Sequence, residues 1–276
     1  MAKEIREAKK PEPATYTTSK KQSVTGALKK ASVTALIIVA IVVFGTIALI
    51  TGLAVMANMR NIKKSEVEFE GLRETAARIK IENHEEFGTI QLGQLDEEML
   101  AINNEYVCWI RIDGTNIDYP VVRGPDNDKY LNISFRGEKS VTGTVFMDYR
   151  VYGDLLAENS SDIIPHIIIY GHNLRQGGIF SDLRKLLDGQ FLHNNNIIKL
   201  IVNDQLIEYE IFSVKRSDVE DPAYFLAFDD GSHSFARFAN KIDAPLRATQ
   251  ILTLSTCIST GNDDERLIVQ AYRLID

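Results

Sequence analysis

Cys257 closes an apolar run, QILTLSTC (250–257), and Ser259, Thr260, Gly261 and Asn262 follow it. A thiol where an apolar strand gives way to a polar loop is within reach of a reactant, and its thiolate attacks carbonyl carbon. The other cysteine, Cys108, lies inside VCWIRI between Val107 and Trp109, with no turn nearby. Free cysteine is among the most buried residue types, so Cys108 is expected to be an inert core residue. Two cysteines this far apart make no disulfide framework. A single bridge between them stays open at this point. Oxidising compartments favour pairing, so two lone thiols on an exported chain point to one kept for its chemistry.

A nucleophilic thiol is usually activated by histidine. Of the five histidines, His172 follows the apolar run IIIYG at a second strand end, and His166 opens that run as a candidate edge residue. His84 falls in a charged helical stretch, His193 in the turn HNNN and His233 in GSHS. Arg266 begins RLIVQAYR across an acidic loop from Cys257. If the two runs pair as a hairpin, the guanidinium returns beside the thiol, where it can hydrogen-bond a developing oxyanion. An ion pair with Asp263, Asp264 or Glu265 is the competing reading. Those three acids read as solvated rather than metal-binding, and no metal or other cofactor is expected.

These residues must be positioned by strands. VCWIRI, NIDYPVV, TGTVFMDY, HIIIYG, IIKLIV, LIEYEIFSV, QILTLSTC and RLIVQAYRLI are short, rich in β-branched and aromatic residues, and mostly bounded by Gly, Asn, Asp or Pro. About eight such runs imply a closed or nearly closed β-barrel. GGIFSDLRKLLD and SHSFARFANKI read as short helices between them. Upstream, residues 62–104 read as helix, with Val67, Leu72, Ala76 and Ile79 at helical spacing and Asp96 as the N-cap of DEEMLAIN.

Further upstream, residues 31–59 contain no Asp, Glu, Lys, Arg or His. A membrane-spanning helix needs about 20 apolar residues, and this stretch supplies them. A buried core helix and a cleaved signal peptide are the alternatives. Against the first, the run is apolar on every face; against the second, it exceeds the usual h-region of about 7–15 residues. Residues 1–30 carry eight Lys/Arg against three Glu and read as a disordered basic tail. Because more basic residues precede the span than follow it, the tail is expected in the cytoplasm and everything beyond residue 60 outside the cell. The net charge of −7 argues against a nucleic-acid partner.

TLSTC (253–257), YGHN (170–173) and ERLIVQAYR (265–273) together resemble the signature segments of the sortases, class B in particular. WIRIDGTNIDYPVV, DNDKYLNISF, GTVFMDYR and YGHNLRQGGIFSDLRKLLD resemble the framework of that class, in the same order, over roughly residues 65–276. The resemblance implies a mainly β, eight-stranded sortase barrel with N-terminal helices and a helix in the loop before the Cys strand, all preceded by one transmembrane helix. The implied domains are the tail 1–30, the span 31–59, an extracellular linker with helices 60–104, and the catalytic barrel 105–276. VYGDLLAENSSDIIP (151–165) departs from the family pattern by its length.

By the same resemblance, Cys257 is the nucleophile, His172 the acid/base and Arg266 the oxyanion group. Asn127 and Leu131 line the sorting-signal groove, Ser255 its floor and Tyr224 its wall. The implied reaction cleaves an Asn-Pro-x-Thr-like signal after Thr through a thioester on Cys257 and passes the acyl group to an amine. The partners implied are surface proteins bearing a C-terminal sorting signal and a peptidoglycan amine. A pilin polymerase using a Lys acceptor, a thiol protease releasing product to water, and a silent membrane-tethered binding module are the alternatives.

Overall fold

The computed structural model describes residues 19–85, 94–157, 164–174, 177–203, 205–228, 234–257 and 265–274, without the side chains of residues 19–32, residues 78–85 and Cys257. His233, Asp263 and Asp264, the middle of the long 151–165 loop, and the first eighteen residues of the tail lie outside that description. The chain forms two compact units, residues 1–57 and 58–276.

Helix α1 (Ser19–Glu85) accounts for the described part of the first unit. Over 33–57 it is built from Leu, Ile, Val and Ala, and all of these side chains are exposed. By length and composition it is a helix that could cross a bilayer. It also takes in residues 19–30, which composition assigns to a disordered tail. Lys, Gln, Ala and Leu in that stretch are good helix formers. Adding residues to an existing helix avoids the cost of a new nucleus.

In the second unit, α1 turns one stripe inward. Ser65, Phe69, Leu72 and Ala76 are buried. Val67, expected on that stripe, is exposed. It lies five residues before Leu72, far off the i, i+3, i+7 line that Phe69, Leu72 and Ala76 define. Helix α2 (Gln94–Ile102) starts before Asp96, so Asp96 lies in the first turn rather than at the N-cap. There the buried carboxylate accepts hydrogen bonds from the Tyr106 hydroxyl, at 2.8 Å, and from the Asn203 backbone N–H, joining the helix to two parts of the barrel.

Eight strands follow: β1 (Tyr106–Ile112), β2 (Asp118–Val122), β3 (Val145–Met147), β4 (His166–Tyr170), β5 (Ile197–Val202), β6 (Gln205–Ser217), β7 (Ile251–Cys257) and β8 (Arg266–Arg273). They close into a barrel in the order β1-β2-β3-β4-β7-β8-β6-β5. Inward-facing side chains such as Trp109, Leu252, Leu254, Val269 and Ala271 form the main core. Alternate residues of β7 and β8 face out. Ile251 and Tyr272 are covered there by Phe238 and Ile242 of the segment preceding β7, which contains α4 (Phe235–Lys241). The helix expected before the Cys strand is α4.

GGIFSDLRKLLD divides differently from expectation. Ser181–Leu187 is a tight 3-10 helix, and α3 (Gly189–Asn194) begins after it, capped by Asp188, whose carboxylate accepts from the backbone N–H of Gln190 and Phe191. His193 therefore falls in the last turn of α3, exposed.

Candidate active site

β4 and β7 run parallel side by side, with Tyr170 opposite Ser255. Their C-terminal ends therefore open on the same rim of the barrel. β8 returns antiparallel to β7, and the last residue pair of that ladder is Cys257 with Arg266. The hairpin needed to return Arg266 to the cysteine is present. The Cys257 side chain itself lies outside the described atoms. Period-two alternation puts Cys257 on the same face of β7 as Thr253 and Ser255.

His172 is carried one residue beyond Gly171, whose backbone N–H donates to the Ser255 carbonyl at 3.2 Å. A Cβ at Gly171 would lie 2.7 Å from the Phe180 ring, so only glycine lets the chain turn this tightly beneath the histidine. The His172 carbonyl in turn accepts from Phe180 N–H at 3.0 Å. The imidazole is held by Nε2, 2.8 Å from the carbonyl oxygen of Leu131. A carbonyl only accepts, so Nε2 carries the hydrogen and Nδ1 is left for chemistry.

A groove of about 360 Å³ connects these pieces. His172, Arg266, Asn127, Leu131, Ser255 and Tyr224 all line it. The remaining lining includes Phe146, Tyr170 and Val219. Volume does not single it out, since two other grooves measure about 340 and 390 Å³. Chemistry does: neither of those is lined by His172 or Arg266.

Tyr224 ends the 3-10 turn Pro222–Tyr224, which Asp221 caps by accepting from Ala223 N–H. Its hydroxyl shares a 2.7 Å hydrogen bond with Ser255 Oγ, and its ring stacks on Tyr170. Asn127 is fixed at both ends of its amide: Nδ2 donates to Asp148 at 3.1 Å, and Oδ1 accepts from Tyr149 N–H at 3.0 Å.

The sortase family, whose model for the domain matches residues 110–274, accounts for more than half of the 276 residues. This chain belongs to it. Sortase B of Listeria monocytogenes is 32% identical over 63% of this chain and 71% of that protein. Sortase B of Staphylococcus aureus is 26% identical over 87% of this chain and 94% of that protein. Among solved structures, sortase B of Clostridium perfringens aligns at TM-score 0.56 and 27% identity, covering 65% of this chain and 100% of the other. S. aureus sortase B aligns at TM-score 0.64 and 24% identity, over 76% and 98% of the two chains, a likeness of fold. This is a cysteine transpeptidase of the sortase B kind.

One residue of this sortase that sequence reading passed over lies next to the groove, bonded to Tyr170 and Asn127 of its lining. Asp148 is fully buried and accepts from Tyr170 Oη, Asn127 Nδ2 and the Arg150 guanidinium. Burial would raise its pKa, but the hydrogen bonds, led by Arg150, hold it below the usual carboxylate range. Arg150 is a local partner, two residues on, but the two partners that line the groove, Asn127 and Tyr170, lie 21 and 22 residues away in sequence. His166, expected near an edge, is instead 1% exposed and hydrogen-bonded at both ring nitrogens. Its partners are further still, 59 and 87 residues away. Cys108 is a free, fully buried thiol in β1, and burial first, then nearby Asp96, pushes its pKa far up. That is the environment of an inert thiol.

Proposed function

We propose that this sortase cuts an Asn-Pro-x-Thr-like sorting signal after Thr and transfers the carried protein to an amine of cell-wall peptidoglycan. The observation that supports it most is the groove lined at once by His172, Arg266 and the four residues expected to hold the peptide, beside the Cys257–Arg266 strand pair.

In this reading Nδ1 of His172 takes the Cys257 proton, the resulting thiolate attacks the Thr carbonyl, and Arg266 holds the oxyanion. His172, through Nδ1, protonates the leaving amine, which departs as the C–N bond breaks and leaves a thioester on Cys257. An incoming amine gives up a proton to His172 and attacks the thioester, forming the new amide as the C–S bond breaks and Cys257 leaves as the thiolate beside the imidazolium. Substrates are surface proteins with a C-terminal sorting signal. The enzyme is held by the span at 31–59, with the tail 1–30 in the cytoplasm and both the 60–104 segment and the 105–276 barrel outside the cell.

The test uses the full chain in detergent with an Asn-Pro-x-Thr peptide and, separately, a peptidoglycan-type amine, a Lys-bearing peptide and water alone. Mass spectrometry should find a Cys257-linked acyl adduct, then an amide product with the cell-wall amine. Product with the Lys acceptor only would move the assignment to pilin polymerisation. Hydrolysis unaffected by any amine would make the protein a thiol protease. No adduct with any peptide would leave a tethered binding module.

A further inference from the structure

The chemistry proposed above does not use His166, yet both of its ring nitrogens are committed. Nδ1 lies 2.7 Å from the carbonyl oxygen of Phe225, and Nε2 lies 2.8 Å from Thr253 Oγ1. Since a carbonyl only accepts, Nδ1 is the protonated nitrogen, and Nε2 accepts from the Thr253 hydroxyl. One tautomer of a neutral ring satisfies both contacts. Burial agrees, pushing this imidazole down to about 4. Phe238 packs on the ring at 4.7 Å between centroids, and Phe228 closes in edge-on.

The two contacts join pieces that matter to the groove. Thr253 is on β7, on the same face as Ser255 and Cys257. Phe225 is the residue after Tyr224, and its own N–H closes the turn by donating to Pro222. Tyr224 then reaches Ser255 at 2.7 Å and stacks on Tyr170. The β6–β7 connection, which carries the wall of the groove, is thus pinned from beneath to the strand that carries the cysteine.

We propose that His166 is a positioning residue: by bridging the Phe225 carbonyl and the Thr253 hydroxyl it holds the Pro222–Phe225 turn against β7, and so keeps Tyr224 over Ser255 at the substrate groove. The catalytic consequence rests on the groove being the sorting-peptide site; the anchoring of the turn does not. His166 touches no reacting atom, so its loss should act on peptide binding and leave the chemical step alone.

His166→Phe keeps an aromatic ring and removes both hydrogen bonds. His166→Asn places an amide N–H near the position of Nδ1 and restores the bond to Phe225. In the full chain, two readouts separate the anchoring from the function. Hydrogen exchange over 222–228 should speed up in His166→Phe relative to β8, and return toward the parent rate in His166→Asn. With a sorting peptide, KM should rise about 5–30-fold in His166→Phe, the worth of one or two kcal/mol. Its kcat should stay within a few-fold, and His166→Asn should recover most of the loss. A residue that merely stabilised the fold would lower the active fraction, and with it kcat, leaving KM unmoved.

If His166→Phe fails to fold, Thr253→Val removes one of the two bonds at nearly constant volume and should shift both readouts in the same direction. A parent that turns over no peptide sinks the functional reading, and the exchange measurement then decides the anchoring by itself. Parent-like exchange over 222–228, or a parent-like KM in a variant whose exchange has risen, overturns the proposal.

Discussion

Arg266 and Cys257 face each other across the last pair of the β7–β8 ladder, so a guanidinium and the proposed nucleophile share one end of one hairpin. A planar five-donor fork and a point-charge ammonium are not equivalent at an oxyanion. Arg266→Lys is therefore expected to lower kcat/KM by about 10²–10³, the usual loss for one oxyanion donor, with the fold intact. Activity within a few-fold of the parent would reduce Arg266 to a surface charge. The two thiols should separate as cleanly. An alkylating probe should modify Cys257 first, a sorting peptide should protect it, and Cys257→Ala should abolish acyl-enzyme formation. Cys108→Ala should keep turnover and lose about 1–3 kcal/mol of stability, because it empties a fully buried site. Modification of Cys108 first would mean the nucleophile has been misassigned. Leu131 shows a division of labour within one residue. It lines the groove, while its backbone oxygen sets the tautomer of His172. Substitutions at 131 should alter which peptides bind without disturbing the proposed acid/base.

Buried His166 ties β4, β7 and the β6–β7 connection together, and it also makes their stability depend on pH. Its pKa is about 4 in the folded protein, against 6.5 for an unperturbed histidine; burial is the largest cause, with the Phe225 contact and Asp148 opposing it and Arg150 acting with it. Between those values the unfolded chain binds a proton that the folded chain refuses. The stabilisation is therefore complete above about pH 6.5 and is lost as pH falls toward 4, at about 1.4 kcal/mol per unit. In denaturant titrations followed by the single tryptophan, Trp109 in β1, the stability advantage of the parent over His166→Asn should shrink by about 3 kcal/mol between pH 7 and pH 4. A gap that does not change with pH would show that His166 is not held neutral. The elements themselves were readable in the sequence where the signal is local. The runs ending at Tyr170 and Cys257 follow from their β-branched composition and bounding turn residues, while the hairpin returning Arg266 is one of two readings that the sequence leaves open. What could not be read depends on partners remote in the chain. Asp148 needs Asn127 and Tyr170, and His166 needs Phe225 and Thr253; Val67, by contrast, is excluded from the inward stripe by its spacing from Leu72 and Ala76 alone.

At the scale of the molecule, the proposed orientation, which rests on the apolar stretch of α1 and the basic residues before it, puts the catalytic unit outside the cell. Protease added to intact cells should digest or release the chain beyond residue 65, and a protected barrel would reverse the proposed orientation. The strand order has its own consequence. β8 lies between β6 and β7, so the barrel cannot close until the last strand is in place. The groove draws on Asn127, His172, Tyr224, Ser255 and Arg266, segments spread over most of the second unit. Pairings this distant form late, after the loop entropy between them has been overcome. A chain in which β7 has formed but β8 has not yet paired would carry Cys257 without its opposing arginine. The proposed catalytic pair therefore exists only in a chain whose β8 has docked between β6 and β7.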